Sequence, residues 1–464
     1  MQMNKIKKII KTQAKKAKRL LRNINYYIKE RAFRKKDPWC VALDAAVNEE
    51  YYQELKNKIV KDPWSSESFW SGDPRPAFPF AFKKAKAFLE KGNFSEHLNL
   101  LVEGLAADRK FSRKHELDQL GLQFFRSWAG SIGKIGLLDI YIKMRELGLS
   151  QKKNTIILES RPANTHYLYL WQKYIDAIVT HSSGIKHLEP LAERLEVHPE
   201  LFEFANGEVH YYPVAINRIQ AIWEAERRPA LLSLRVEDQE KGFDALTKIG
   251  LPKDGWFVTV QSCARSGISC FQAAADKIIR SGGWVVDIDG SLPKSFPRTI
   301  KYGEDLPRTE WMSSFIFAKC RFLLTASSAS FLVPASFGIP VISVNCLPLS
   351  LSLPLSYSVN IGLPKICWSE EEKRALSLVE TLDLVGEAST KNIRYLDNTS
   401  DEISEAVQEM LDRISNGTVY DVRPPQSIFD KAFLPFQKHY PSPRGSVAKK
   451  FLERHPQLLE PSSF

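Results

Sequence analysis

The 464-residue chain is 44% apolar and 26% charged, a globular composition with room for two or three domains, which excludes a disordered or fibrous protein. Its net charge of +11 sits at one end: residues 1–36 hold ten Lys and four Arg against the single acid Glu30, and the remainder sums to −2. A general electrostatic grip on nucleic acid is thereby excluded for the body of the chain.

Six cysteines form no CxxC pair and no zinc spacing, and the lysine-rich start has no apolar core or cleavage site of a secretory signal. Both features predict reduced thiols in the cytoplasm. The longest apolar stretch, 332–363, is broken by Pro334, Pro340, Pro348 and Pro354, so no membrane-spanning helix is expected.

In chain order, Ile6, Ile9, Ile10, Ala14, Ala17, Leu20, Leu21, Ile24 and Ile28 recur at three- and four-residue spacing, with Lys8, Lys11, Lys15 and Lys18 mainly on other faces. Residues 1–36 read as a basic amphipathic helix. It is suited to an anionic membrane surface, where each of those lysines adds about 1 kcal/mol. A helix packed on a partner, or an RNA-binding arm, would show the same pattern.

Residues 37–120 read as a helical, Pro- and aromatic-rich extension. Pro63, Pro74, Pro76 and Pro79 alternate with Trp64, Phe69, Trp70, Phe78 and Phe80, which predicts an irregular stretch packed on a neighbour. Helical patterns over 82–89 and 95–105, broken at Gly92, predict a hairpin.

From 121 the pattern alternates. Strands are expected at 122–125, 156–158 and 177–179, and helices at 137–147 and 166–174. Gly130, Gly133, Lys134 and Gly136 read as a glycine loop between the first strand and its helix. GxxGxxG lacks the tight GxG turn of a dinucleotide site, so this loop is expected to wall a substrate cleft. The third strand runs into Thr180, His181, Ser182, Ser183 and Gly184.

A second alternating set covers 246–415: a strand at 256–260, a loop at 261–267 holding Arg265, a helix at 268–279, a turn at Gly282 and Gly283, and a strand at 284–288. Further on, the apolar 322–324 is followed by Thr325, Ser327, Ser328 and Ser330; about two helical turns then end at Gly338 and Pro340, and 341–344 is apolar again. Parallel sheets bind ligands at the carboxyl ends of their strands, where helix N-termini offer N–H donors. Arg265 with Ser327, Ser328 and Ser330 is therefore expected to hold a phosphate. Residues 416–464 are expected to pack back on the body as a tail.

The expected fold is α/β, with two Rossmann-like domains, 121–245 and 246–415, facing across a cleft and preceded by a helical extension. Gly242, Arg265, Gly282, Gly283, Trp311, Met312, Arg321, Phe322, Ser327, Ser328, Phe337, Gly338, Pro340, Asn345, Asn398, Ile403, Ser446, Phe451, Leu452, His455 and Pro456 follow one another in a characteristic order. In this order and spacing, from about 120 to 459, the chain resembles a family of bacterial glycosyltransferases of GT-B-like architecture associated with surface-polysaccharide biosynthesis.

The resemblance implies a metal-independent hexosyl- or related glycosyltransferase that uses no cofactor beyond its substrates. It would move a sugar from a nucleotide-sugar donor to a glycan or lipid-linked acceptor, in the cytoplasm or peripherally at the inner face of the cell membrane. The second domain would hold the donor, with Arg265, Ser327, Ser328 and Ser330 on its diphosphate, and the first would hold the acceptor. A base for the acceptor hydroxyl is expected from the first domain, His181 foremost and Glu159 next. No metal site is expected, since Asp287 and Asp289 make the only DxD spelling and it lies at a strand end. The chain departs from the family at three places. Gln261, Ser262 and Cys263 replace a His-Val-Arg triplet, Ser313 replaces an Asp, and Thr325 to Ala329 replace a Gly-Thr-Ser-Ser-Gly loop. A degenerate transferase kept as a glycan- or nucleotide-binding scaffold is the alternative these departures leave open.

Overall fold

The computed structural model describes residues 76–459 apart from 91–92, 127, 263–267, 294, 327–329, 349, 384–391, 418–426, 428–429 and 432–441, together with residues 53 and 57. The expected membrane-facing helix with Lys8, Lys11, Lys15 and Lys18 lies outside the described residues, as do Arg265, Ser327, Ser328 and much of the tail.

Two helices, α1 (Ala77–Glu90) and α2 (Phe94–Lys114), form the expected hairpin. They approach closely at Gly104, where a Cβ would stand 2.5 Å from that of Ala81. Asp108 of α2 accepts the N–H groups of Ala77 and Phe78 at 2.6 and 2.9 Å, which satisfies donors the start of α1 leaves open. Residues 77–80, expected to be irregular, are helical because Pro79 falls in the first turn, where its missing N–H has no partner to lose. Phe80 is 62% exposed, so the aromatic groups of this stretch are not all packed away.

Strands β1 (Leu122–Phe125), β2 (Asn154–Leu158) and β3 (Ala177–Val179) make a three-stranded parallel sheet in that order. Each runs into a helix: α3 (Ile132–Glu146), α4 (Thr165–Leu170) and α5 (Ser182–Ala192). The helix after β1 begins five residues earlier than its periodicity indicates. Ser131 caps it, its Oγ accepting the Lys134 N–H at 3.3 Å, so Gly133, Lys134 and Gly136 are helical and only Gly130 belongs to the loop. A hairpin, β4 (Leu201–Glu203) and β5 (Val209–Tyr211), and two helices, α6 (Tyr212–Ala225) and α7 (Val236–Lys248), lead to the second sheet.

That sheet has seven parallel strands. In chain order its elements are β6 (Phe257–Gln261), α8 (Gln272–Arg280), β7 (Trp284–Asp287), β8 (Thr299–Lys301), α9 (Glu310–Lys319), β9 (Leu323–Thr325), α10 (Leu332–Ser336), β10 (Val341–Cys346) and β11 (Ile361–Pro364). A small antiparallel sheet of β12 (Ile366–Ser369), β13 (Arg374–Ala375) and β14 (Ile393–Leu396) follows, then α11 (Ser400–Asn416), the edge strand β15 (Ser446–Val447) and α12 (Lys449–Arg454). Across the large sheet the order is β15-β11-β10-β9-β6-β7-β8. The chain winds outward from β6 through β7 to β8, then outward the other way from β9, so the direction reverses between β6 and β9. Doubly wound sheets open a crevice at that point.

Helix α3 joins the two sheets. Every residue from Ile135 to Met144 is buried, and one apolar cluster runs from Phe125 and Trp128 through Leu138 and Ile142 to Phe315, Leu332 and Tyr357. Along α3 the two units share this apolar core. Gly136 marks the contact with α10, since a Cβ there would lie 2.6 Å from that of Leu332. Alanine at an open helical position is favoured over glycine by about 1 kcal/mol, but overpacking of this kind costs about 1–3 kcal/mol. Gly136→Ala is expected to lower the urea unfolding midpoint accordingly, whereas Lys134→Ala, half-buried in the first turn, stays within about 0.5 kcal/mol of wild type.

Candidate functional site

The winding reversal puts the ends of β6 and β9 side by side. Gln261 ends β6 and pairs with Thr325 at the end of β9, and the Ala326 N–H donates to Gln261 O at 3.0 Å. Arg265 follows the first of these strands; Ser327, Ser328 and Ser330 follow the second. Ser330 is buried, and its carbonyl accepts the Val333 N–H at 3.3 Å. The helix beyond it is shorter than its sequence indicates. Helix α10 has five residues, Pro334 supplies no N–H, and Gly338 closes it at φ 76°. So short a helix offers an anion little dipole at its N-terminus. The Oε1 of Gln261 is buried with no hydrogen-bond partner among the described residues.

Asp287, at the end of β7, has its carboxylate taken up by its own loop: Oδ1 accepts the Ser291 N–H and O–H at 3.2 Å, and Oδ2 the Leu292 N–H at 2.8 Å. The Asp-Ile-Asp spelling is accounted for by loop closure. Among the described residues, no group of three His, Cys, Asp or Glu side chains is placed to hold a metal ion.

On the first sheet, Glu159 and His181 follow the adjacent strands β2 and β3, so both stand at its carboxyl edge. His181 is the N-cap of α5, its Nδ1 accepting the Gly184 N–H at 2.9 Å. A neutral imidazole in that bond carries its proton on Nε2. Accepting a second proton there requires the other tautomer and loss of the cap. Glu159 accepts the Arg161 N–H at 3.1 Å through Oε1 and caps no helix.

The two edges converge through α3. Gly136 lies in its second turn and Leu332 is the first residue of α10. Their contact therefore ties the first turns of α3 to the start of α10. Asn164, which caps α4 through the Tyr167 N–H, and Thr165 add a second tie: the Asn164 Nδ2 donates to Glu310 O at 3.0 Å and the Thr165 N–H to the Glu310 carboxylate at 2.6 Å. Of the glycines assigned to a cleft wall, Gly130 is exposed at the loop, Gly133 is half-buried in α3, and Gly136 is a packing position.

One acidic group escaped the sequence reading. The segment after α5 returns along β1, with the Phe124 N–H donating to Leu195 O and the Val197 N–H to Phe124 O. This sets Glu196 against Arg126, at 3.3 Å, while Arg126 also reaches Glu189 and Glu193. Burial pushes Glu196 up to about 7; Glu200 and Glu193 add to the rise, and Arg126 and Lys134 oppose it. Nothing local marks Glu196, because its environment is assembled from β1, α5 and α3.

Among solved structures, the chain is similar to the family 9 glycosyl transferase from Veillonella parvula, at 12% identity over 61% of this chain and 79% of that one, with a TM-score of 0.29. It is also similar to CalG4, the calicheamicin glycosyltransferase, at 14% identity over 64% and 69%, with a TM-score of 0.22. No family model and no curated protein matches it. With TM-scores this low, neither structural likeness carries weight for activity.

Glu196 predicts a specific pH dependence. Its carboxyl keeps a proton to about pH 7 in the folded chain and to about 4.5 when unfolded. Between those values the folded state binds more protons, so this group's contribution to stability falls as pH rises. Glu196→Gln removes that fall. The unfolding free energy of Glu196→Gln minus that of wild type is expected to grow by about 1–3 kcal/mol from pH 5 to 8, read from urea titrations, and a pH-independent difference would contradict the assignment.

Proposed function

We propose that the chain is a glycosyltransferase that moves a sugar from a nucleotide-sugar donor to a glycan or lipid-linked acceptor, in bacterial surface-polysaccharide biosynthesis. The observation that supports this reading most directly is the convergence of the two carboxyl edges at Gly136 and Leu332. It brings the start of α3 against the start of α10, and a two-substrate transfer needs its two binding regions to be neighbours in this way.

In this reading the donor diphosphate lies at the β6–β9 reversal. Arg265 pairs with its phosphates, and Ser327, Ser328 and Ser330 donate hydrogen bonds as charge develops on the leaving group. The acceptor lies against Gly130 and the start of α3. Glu159 or His181 takes the proton of its attacking hydroxyl, and Glu159 is favoured because it need not surrender a helix cap. The transfer is read as metal-independent, in keeping with an Asp287 carboxylate already held by three donors of its own loop. Residues 1–36, through Lys8, Lys11, Lys15 and Lys18, would hold the enzyme at the inner face of an anionic membrane. Among the described residues no helix is long and apolar enough to cross a membrane.

A second reading, a donor-binding protein without turnover, is favoured by the neutral Gln261 and Ser262, which bring no positive charge to the end of β6.

Thermal unfolding of the full chain against nucleoside diphosphates and nucleotide sugars tests both. A ligand at a hundred times its dissociation constant should add about 2.7 kcal/mol. Arg265→Ala is expected to weaken the ligand that shifts the midpoint by about tenfold or more, with the midpoint of the unliganded protein unchanged. Turnover of that donor supports the transferase; a shift without turnover supports the binding protein; no shift with any donor overturns both.

A further inference from the structure

A cavity of about 390 Å³ lies between α2, β1 and the β4–β5 hairpin. Leu122, Gln123 and Lys153, at the amino ends of β1 and β2, are among its lining, so it stands at the end of the first sheet opposite Glu159 and His181. Its size is that of ordinary small-molecule sites. We propose that it binds a small organic monoanion, a carboxylate on an aryl or short alkyl body.

The body is specified by the walls. Trp128, Tyr141, Phe202 and Phe204 line the cavity together with Leu105 and Leu122. Two polar side chains set among them are already spoken for: the Tyr141 hydroxyl donates to Gln123 Oε1 at 2.6 Å, and Gln123 Nε2 donates to Thr155 Oγ1 at 2.7 Å. These groups hold the wall's shape and ask nothing of a ligand.

The charge is specified by what is left over. Arg109, Arg113 and Lys153 line the cavity with only Glu203 and Asp118 as acids, an excess of one positive charge. Glu203 is taken by Arg109, whose Nε stands 2.9 Å from both its oxygens. Arg113 bonds only to the Arg109 carbonyl, at 3.3 Å, and neither Arg113 nor Lys153 has a carboxylate partner within 4 Å among the described residues. Burial, and then Arg109, hold Lys153 below the usual lysine range, with Glu203 and Asp118 opposing, and a bound anion would add to that opposition. The Ser150 Oγ is buried in the same wall without a hydrogen-bond partner, which leaves a donor for the second carboxylate oxygen.

This site does not rest on the transferase reading, and failure of donor binding would leave it untouched. Calorimetric titration of the full chain with 3-phenylpropanoate tests it, with 3-phenylpropanol lacking the charge and acetate lacking the body. The anion is expected to bind saturably at about 1 mM or below, and each control at least about tenfold more weakly. Lys153→Gln, in a half-buried side chain without an ion pair, is expected to weaken 3-phenylpropanoate about tenfold. Ala106→Trp, exposed at the mouth of the cavity, is expected to block it. Absence of saturable heat at about 10 mM, equal binding of the neutral alcohol, or unchanged affinity in Lys153→Gln overturns the proposal.

Discussion

Helix α3 is buried on every face over Ile135–Met144, and the arrangement of both sheets follows from that. A helix so enclosed cannot keep a polar stripe toward water, so its charged residues must find partners inside the protein. Asp139 and Lys143, one turn apart, pair at 2.6 Å. The pair is extended by neighbours from elsewhere in the chain: Lys143 also donates to Gln220 of α6 at 3.0 Å, and the Tyr357 hydroxyl donates to Asp139 at 3.3 Å. Beyond Gln220 the chain of contacts runs through Glu224 to the Ser358 N–H and Arg444. A buried pair of this kind contributes little net stability over an apolar core, but breaking one side costs several kcal/mol. It holds the first unit to the second in a single register, and the meeting of the two carboxyl edges depends on that register.

Many residues that carry the family resemblance are scaffold. Gly242 admits the Phe315 ring, at 2.2 Å from a would-be Cβ, and Gly283 admits Trp256. Trp311 and Met312 are in the core. Asn345, at φ 56°, and Asn398 exchange reciprocal hydrogen bonds of 2.6 Å between side-chain carbonyl and backbone N–H, which fastens the end of β10 to the start of α11. Thr399 and Glu402 form a capping box there, and His455 reaches Glu402 at 2.5 Å, tying α12 to the same helix. The order and spacing of these residues therefore report how the second unit packs.

The two ends of the first sheet differ in chemistry for a related reason. Its carboxyl edge gathers Glu159, His181, Arg126 and Glu196 beside the joint with the second unit, while its amino end is covered by α2 and the β4–β5 hairpin, which close over an aromatic cavity. Burial is uneven across both. Near the returning segment after α5 it pushes Glu196 up and His198 down to about 3, the latter stacked on Phe78 with ring centroids 3.6 Å apart. Groups only a few residues apart in sequence thus prefer their neutral forms, because several elements remove water from them together.

The strands of the first sheet, the paired helices before it, the strand–loop–helix–strand unit around Thr325 and the stop at Gly338 could be read from the amino-acid sequence. Each depends on periodicity or on backbone preferences that neighbours along the chain express. The ends of helices were legible less well: α3 starts at Ile132 because the Ser131 hydroxyl caps it, against the look of a glycine loop. Only the tertiary structure decided that Gly136 is a packing contact, that Asn345 meets Asn398, that Glu196 sits against Arg126, and that a cavity opens beneath α2. All four are made by segments distant along the chain, and their energies come from burial and shape fit that no local pattern of residues encodes.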